Sequence, residues 1–345
     1  MTFDIRHSTF DIPFRYIAKR IVLAVPTFFG ITVVTFAVIH LAPGDPLRRQ
    51  VDDTMSSEMS ARSYEQLRAY FGLDQPLYIQ YGRWVGRLLT LDLGHSFSDH
   101  RPVWEKIRER LGWTLLVALL SMVIGLLVAI PIGVYSAVRP NGWFDTAAGT
   151  ILYGLYSVPS YVMAMVLIVA VVTLPVDWIP IRNAYSDRFD ELSLLGQAVD
   201  LLAHVLLITI CYTYPSLAFQ TRFVRQNLLE VLQQDYIRTA RAKGLTAWRV
   251  VVRHGFRNTL IPLITYLGLL FPTIVGGSAI LEVMFNWPGI GRLMFDSVLQ
   301  RDYPTVMALS VITAVLVQAA TLLADLCYAW ADPRIRHALE AERVG

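Results

Sequence analysis

The 345-residue sequence contains only two cysteines, Cys211 and Cys327, and both lie within long apolar runs. Isolated cysteines in such surroundings are typical of small buried hydrophobic residues and do not indicate a disulfide, a metal site or a redox centre. The sequence also lacks any Gly-Lys dipeptide, which excludes a phosphate-binding P-loop. No nucleophile motif and no paired His spacing occurs, so we expect this chain to carry no catalytic residue, cofactor or metal.

Charged residues are also scarce, at 17% of the chain, whereas 54% of the residues are hydrophobic and the mean hydropathy is +0.46. This composition is too apolar for an ordinary soluble domain and indicates a membrane protein. A spanning helix needs about 20 apolar residues, and six intervals between charged residues are long enough: 20–45, 110–139, 145–177, 200–222, 257–282 and 302–325. The predicted fold is an all-α membrane protein with about six transmembrane helices.

The interiors of these six intervals contain no Asp, Glu, Lys or Arg. Carriers coupled to protons or sodium usually place ionisable groups near mid-membrane, so this absence disfavours a stand-alone ion-coupled carrier. A membrane receptor is the other alternative, but the sequence has no recognisable signalling domain. If the chain transports a solute, its energy would therefore come from outside the chain.

Lys and Arg are distributed unevenly among the connections between spans. The connection between the fourth and fifth spans has eight of them against two acidic residues, whereas 177–200 and 282–302 carry more acids than arginines. Because short cytoplasmic loops are enriched in Lys and Arg, this pattern predicts cytoplasmic termini and a cytoplasmic loop at 222–258. Segments 45–110 and 177–200 are predicted to be external.

These predictions divide the chain into five parts. Residues 1–20 form a cytoplasmic N-terminal segment, residues 21–44 form the first transmembrane helix and residues 45–110 form an external helical subdomain. Residues 111–337 form a five-helix core that includes the loop 222–258, and residues 338–345 form a C-terminal tail.

Two helices are predicted within the external subdomain. Ser60 is a candidate cap for the first, and Pro76 precedes the second. Apolar residues recur at helical spacing in both segments: Tyr64, Leu67, Tyr70 and Phe71 in the first, and Tyr81, Trp84, Val85 and Leu88 in the second.

The basic connection 233–262 is longer than a plain retention signal needs. Apolar and small residues at helical spacing predict two helical pieces, which meet near Gly244. Glycine is unfavourable inside a helix, so we expect Gly244 to end the first piece and to allow the close approach of a partner. From the residues alone, docking to a soluble partner and resting on anionic lipid are about equally favoured.

Several stretches resemble the permease subunits of ABC importers, in particular the dipeptide, oligopeptide and nickel family and the first permease of each pair. They are APGDP (42–46), FGLDQPLYIQYGRWVGRLLTLDLGHSF (71–97), DYIRTARAKGL (235–245), EVMFNWPGIGRLMFDSV (282–298), RDYP (301–304) and DPRIR (332–336). The general importer signature is Glu-Ala-Ala followed after three residues by Gly. Here Arg238, Thr239 and Ala240 occupy the first three places and Gly244 the last, so the glutamate is absent.

The resemblance implies that a coupling helix in this loop docks into an ATPase subunit. Its implied contact residues are Arg238, Thr239, Ala240, Arg241, Lys243, Gly244 and Leu245. The implied partners are a second homologous permease, two ATPase subunits that hold ATP and Mg, an external substrate-binding protein and membrane lipid, without nucleic acid. The implied location is the bacterial inner membrane, with several spans. Peptides or peptide-like solutes are the implied substrates, with nickel chelates or oligosaccharides as alternatives.

Two stretches are candidates for the lining of a translocation path. Both combine Pro, Ser, Thr and Gly, which permit close backbone approach and weak hydrogen bonding. Ordinary helix packing is the alternative explanation for this composition. The candidate residues are Ser157, Pro159, Ser160, Thr273, Gly276, Gly277 and Ser278.

Overall fold

A computed structural model describes residues 14–41, 65, 74–174, 178–275 and 277–331. These residues are mainly helical, and apart from the isolated bridge between His95 and Pro102 they contain no β-structure. The predicted all-α class is confirmed. The helices are α1 (Phe14–Leu41), α2 (Leu77–Leu89), α3 (Val103–Val138), α4 (Trp143–Tyr156), α5 (Ser160–Thr173), α6 (Leu194–Leu232), α7 (Asp235–Ala242), α8 (Arg257–Val275), α9 (Ala279–Met284), α10 (Ile290–Leu299) and α11 (Tyr303–Ala331).

Four of the described helices contain segments long and apolar enough to cross a membrane, namely Val22–Leu41, Val103–Val138, Leu194–Leu232 and Tyr303–Ala324. The pair α4 and α5 makes a fifth if it is one span, bent by 95°. Helix α8 lies in the interval where the sequence predicts a further span. The count of six therefore stays a prediction.

The chain forms two compact units. The first draws on residues 1–113 and 289–318, and the second on 114–288 and 319–345. In the first unit, Phe36 and Ile39 of α1 form a hydrophobic cluster with Val306 and Met307 of α11. Tyr81 and Trp84 of α2 pack against this cluster, while Val85 and Leu88 are buried. The predicted second helix of the 45–110 segment is thus confirmed, whereas Ser60 and the first predicted helix lie outside the described residues.

In the second unit, α6 packs against α4, α5 and α8. It has 39 residues, which corresponds to about 58 Å at 1.5 Å per residue, far longer than the roughly 30 Å hydrocarbon core. The helix continues as far as Leu232, ten residues beyond Arg222, which is the predicted end of the fourth span. The first part of the predicted loop 222–258 is an extension of this helix.

Glycine allows α3 to approach α6 closely. A Cβ atom on Gly133 would lie 2.7 Å from the backbone oxygen of Thr221, a distance that real Cβ contacts do not show. Eight residues earlier on α3, a Cβ on Gly125 would lie 2.9 Å from Oε1 of Gln220 on α6. Any larger residue at 133 would force these helices apart.

Candidate functional site

The predicted coupling segment is a short helix, α7, that is anchored by apolar side chains. Ile237 and Ala240 are buried and form a cluster with Val250, against which Leu232 and Leu245 also pack. The positions follow helical spacing, so one face of the helix is apolar although α7 as a whole is polar. The helix is therefore held to its own chain through one face, and the opposite face is left uncovered.

Most of the predicted contact residues lie on that uncovered face and on the turn after it. Arg238, Thr239, Arg241, Lys243 and Gly244 are exposed, Leu245 is half-buried and Ala240 is buried. Ala240 and Leu245 belong to the apolar anchor, so their contribution is to hold the helix in place. The signature motif does not distinguish these anchor residues from the exposed residues, because it names all of them as contacts.

The exposed charges of this face are almost unpaired. Arg238 lies 3.5 Å from Asp235, but both side chains are largely exposed, and such surface pairs contribute little. Arg241 and Lys243 have no ion-pair partner in the part of the chain that the structure describes. The face therefore presents cationic groups available to another molecule.

Gly244 ends α7 in a left-handed conformation, with φ of +75°. Its N–H donates to the carbonyl oxygen of Arg241 over 3.0 Å, and glycine is preferred after a helix in this conformation because it has no Cβ atom. The prediction that Gly244 ends the first helical piece is confirmed. A Cβ built at this position would have nothing within 4 Å, so the space beside the glycine is open within this chain.

The segment after the turn ties α7 to the long helices. A helical turn, Ala247–Arg249, continues into a π-helical segment, Val250–Phe256, and then into α8. Val251 forms a cluster with Ala137 of α3 and Leu228 of α6. A Cβ on Gly255 would lie 3.1 Å from Leu228 and 3.2 Å from Leu232. Displacement of α7 would thus act on α3, α6 and α8 through packed side chains.

One hydrogen bond adds a direct link between α7 and α8. Asn258 donates through Nδ2 to the hydroxyl of Tyr236 over 2.8 Å and also to the carbonyl oxygen of His254 over 3.1 Å. Neither residue stands out in the sequence, because a single Asn 22 positions from a Tyr gives no recognisable pattern.

The candidate path residues occupy two irregular places in the helices around α6. Ser157 and Pro159 lie at the break between α4 and α5, and Ser160 begins α5. Proline favours such a break because it lacks a backbone N–H. Beside it, the hydroxyl of Tyr214 donates to the carbonyl oxygen of Val158 over 2.6 Å. The stretch from residue 156 to residue 162, which contains these three candidates, thus marks a sharp break between two helices.

The second place lies just before α9. Gly277 has φ of +58°, and Ser278 caps α9 with its hydroxyl. The N–H of Ser278 donates to the hydroxyl of Tyr212 over 2.5 Å, so both irregular stretches attach to neighbouring tyrosines of α6. The side chain of Thr273 and all of Gly276 lie outside the described residues. Lining of a path by these residues stays a prediction.

A buried ionic cluster in the first unit was not predicted. Asp302 is completely buried and accepts hydrogen bonds from the hydroxyls of Ser96 and Thr305, both over 2.6 Å, and from the N–H of Phe97 over 2.8 Å. Lys106 lies 3.5 Å from Asp302. The sequence motifs DLGHSF and RDYP each contain one part of the cluster, but they lie about 200 positions apart, and neither motif indicates the other.

Lys106 also bridges to Asp99, whose carboxylate lies 3.0 Å from Nζ. Partial burial raises the pKa of Asp99, but hydrogen bonds from Lys106 and Ser96 outweigh it and hold the pKa below its ordinary value of 3.8. The cluster therefore holds the turn 96–99 against the start of α11 through charge as well as hydrogen bonding.

Comparison with known proteins covers nearly the whole chain. Residues 129–337 match the family model described as the binding-protein-dependent transport system inner membrane component, and residues 13–118 match the model of the N-terminal part of such membrane components. The chain belongs to this family. It is therefore an ABC-importer permease subunit and a multi-pass inner-membrane protein, as the sequence predicts.

Curated relatives match the permease end to end. The oligopeptide transport system permease protein AppB of Bacillus subtilis is 39% identical over 93% of this chain and 99% of its own length. The dipeptide transport system permease protein DppB of Escherichia coli K12 is 38% identical over 94% of this chain and 99% of its own. The glutathione transport system permease protein GsiC of Escherichia coli O6:H1 is 35% identical over 93% and 99%.

Proposed function

We propose that the permease is one of two membrane subunits of an importer for short peptides. The observation that supports this most is the similarity, at 35–39% identity over almost the full chain, to permeases named for oligopeptides, dipeptides and glutathione. The two membrane subunits would enclose the path between them, and an external substrate-binding protein would deliver the peptide.

The proposed contact with the ATPase subunits is the exposed face of α7. Its cationic residues and the open space beside Gly244 suit a cleft on a soluble protein, whereas the apolar face anchors the helix. When ATP closes the ATPase subunits, they would move α7, and the packing of Val250 and Val251 would pass this movement to α3, α6 and α8. The permease would then alternate between outward-open and inward-open states.

ATP and Mg are assigned to the partner ATPase subunits, because the permease sequence lacks a P-loop. On this proposal the purified permease hydrolyses no ATP, and it supports ATP-dependent flux only after assembly with its partners. Hydrolysis by the isolated chain, free of contaminating ATPases, would contradict the proposal.

The proposed orientation places both termini, α7 and the turn after it in the cytoplasm. Gln234 and Asp187 are both exposed, so Gln234→Cys and Asp187→Cys can each be treated with a membrane-impermeant thiol reagent in intact cells. Cysteine at 187 should react from outside, and cysteine at 234 should react only after the membrane is permeabilised. The reverse pattern would show that the orientation is wrong.

Substrate class is tested by uptake in cells that lack the gene for this chain. Reintroduction should restore ATP-dependent uptake of a labelled peptide, and excess unlabelled di- to oligopeptides should compete with it. Nickel chelates and oligosaccharides are assayed in the same cells. Recovery of one of these uptakes without recovery of peptide uptake would overturn the peptide assignment while leaving the importer assignment intact.

A further inference from the structure

The first unit contains a pocket of about 410 Å³ that the transport mechanism above does not use. This volume lies within the range of roughly 300–1,000 Å³ that is usual for sites of small ligands. Its walls come from the last turn of α1, one face of α2, the turn 92–97 and the first two turns of α11.

The pocket lies where two apolar spans end. Phe36 and His40 belong to the final part of α1, and Tyr303 and Met307 to the beginning of α11. Phe36 and Met307 share a hydrophobic cluster, so the two helix ends lie side by side. Since both helices are long and apolar enough to cross the membrane, their adjoining ends place the pocket at the level of the lipid headgroups.

Aromatic rings form the inner wall. The rings of Phe36 and Trp84 have centroids 6.0 Å apart, and Phe36 stacks on the imidazole of His40 with centroids 3.8 Å apart. Trp and Tyr are enriched where a membrane protein passes from hydrocarbon to headgroups, and Trp84 and Tyr303 both line the pocket. The wall is therefore suited to the boundary between an acyl chain and a polar group.

Two arginines supply the polar wall. Arg83 and Arg87 are four residues apart on α2 and so lie on the same face of the helix, and both line the pocket. Neither forms an ion pair with any residue that the structure describes. Among the described residues that line the pocket, Asp92 is the single acid, and it accepts a hydrogen bond from the N–H of Gly94 over 2.9 Å. With neutral histidines these described lining residues carry a formal charge of +1.

We propose that this pocket binds the phosphodiester headgroup of an anionic phospholipid. A guanidinium group donates two hydrogen bonds to a phosphate in a matching planar geometry. A phosphodiester carries one negative charge, which balances the formal charge of the described lining residues. The attached acyl chains would lie along the outer surface of α1, where Val33, Val34 and Val38 are more than half exposed. The lipid would thereby fix α2 to the end of α1 at the membrane surface.

The test uses full-length permease in nanodiscs made of equal parts phosphatidylglycerol and phosphatidylethanolamine. After extraction in mild detergent, the lipid retained per chain is measured by native mass spectrometry. Wild-type permease should retain phosphatidylglycerol in preference to the zwitterionic lipid. Arg83→Gln with Arg87→Gln should lower that preference by roughly 10- to 30-fold, since each basic residue near an anionic surface contributes about fivefold to binding.

Two matched variants isolate the site. Arg182 and Arg188 are exposed arginines elsewhere on the chain, and Arg182→Gln with Arg188→Gln removes the same charge but should leave the lipid preference unchanged. Arg83→Lys with Arg87→Lys keeps the charge but loses the paired guanidinium donors, so it should retain more of the preference than the glutamine pair but less than wild type. This variant also guards against misfolding of the glutamine variant. An equal loss in both glutamine pairs, or no preference in the wild type, would overturn the proposal.

A competition arm distinguishes the lipid from other anions. Inorganic phosphate at millimolar concentration should not displace retained phosphatidylglycerol, because it lacks acyl chains to follow α1. Complete displacement would assign the pocket to a free anion instead. Unchanged lipid retention together with weaker docking of the substrate-binding protein in the Arg83→Gln, Arg87→Gln variant would assign the arginines to that protein and contradict the lipid site.

Discussion

The Asp302 cluster and the α7 segment both contain Lys or Arg together with Asp, but they place these charges in opposite environments. Asp302 and Lys106 are buried and surrounded by hydrogen-bond partners, whereas Arg241 and Lys243 are exposed and have no ion-pair partner among the described residues. Buried charges are tolerated only when they are paired. The first arrangement therefore serves structure, whereas the second leaves its charges exposed to solvent, where the proposed contact with the ATPase subunits would use them.

The largest effect is expected from Asp302→Ala. Loss of the carboxylate leaves Lys106 with only the partly exposed Asp99 as ionic partner and leaves the donors of Ser96, Phe97 and Thr305 unpaired, which should destabilise the first unit by about 3–5 kcal/mol. Thermal unfolding of the purified permease in detergent measures the change. Asp296→Ala is the control, because Asp296 is 38% exposed in its pair with Arg292 and should change stability by less than about 1 kcal/mol. Equal shifts in melting temperature for Asp302→Ala and Asp296→Ala would show that burial of Asp302 does not increase its contribution to stability.

A series at Gly244 tests the α7 side of the comparison. Gly244→Ala and Gly244→Trp both meet the strain of φ +75°, about 1–2 kcal/mol for a residue with a Cβ atom, but only Trp fills the open space beside the turn. Gly244→Asn tolerates the left-handed conformation. We expect Trp to abolish peptide uptake and co-purification of the ATPase subunits, Ala to reduce uptake by severalfold at most, and Asn to be near wild type.

The outcome of this series separates two roles of the glycine. If Ala is as defective as Trp while the chain remains abundant in the membrane, backbone conformation rather than the approach of a partner explains the glycine. If Trp retains both the ATPase and full uptake, the exposed face of α7 is not the coupling surface.

A smaller effect on uptake is expected from the double substitution Arg241→Gln with Lys243→Gln. This variant distinguishes docking of the segment to the ATPase from binding of the segment to anionic lipid. Lipid attraction is worth about 1 kcal/mol per basic residue, and six other Lys or Arg residues between 222 and 257 would still hold the loop at the membrane. On the docking proposal, ATPase co-purification should fall several-fold. Unchanged co-purification and uptake would favour the lipid alternative.

The smallest effect is expected from the pH dependence of Asp99. Because its pKa is lowered in the folded state, the stability that its charge contributes is present above about pH 4 and is lost as the pH falls through the folded-state pKa. The difference in melting temperature between wild type and Asp99→Asn should thus be small at pH 6 and should shrink progressively as the pH falls below about 4. Because Asp99 is 40% exposed, added salt should also reduce this difference in melting temperature. A difference that grows on acidification would contradict the pairing with Lys106.

The sequence predicts those features that depend on local pattern. The all-α class follows from charge-free intervals, α2 from the spacing of Tyr81, Trp84, Val85 and Leu88, and the end of α7 from Gly244. The continuation of α6 to Leu232 does not follow from this pattern, because Arg222 bounds the fourth charge-free interval, whereas a helix can continue beyond the membrane into water. Arg225 instead forms two hydrogen bonds of 2.7 Å with Asp145 at the start of α4.

Contacts between distant segments could not be predicted. The Asp302 cluster joins residues about 200 positions apart, and the Tyr236–Asn258 hydrogen bond depends on the turn between two helices. Likewise, the signature around α7 does not distinguish its exposed residues from Ala240 and Leu245, because their burial depends on Val250 and Leu232. These features are set by packing, for which a single sequence has no local signal.

The π-helical segment Val250–Phe256 also bears on how this chain tolerates changes in length. Hydrogen bonds in a π-helix span five residues rather than four, so this segment contains more chain than an α-helix of equal rise. Deletion of one residue here would convert the segment to α-helix, and the apolar faces of α7 and α8 would still pack against the same neighbours. The same deletion within α6 would rotate everything beyond it by about 100°. In an alignment of related chains, deletions and insertions of a single residue should therefore be more frequent between residues 250 and 256 than within α6.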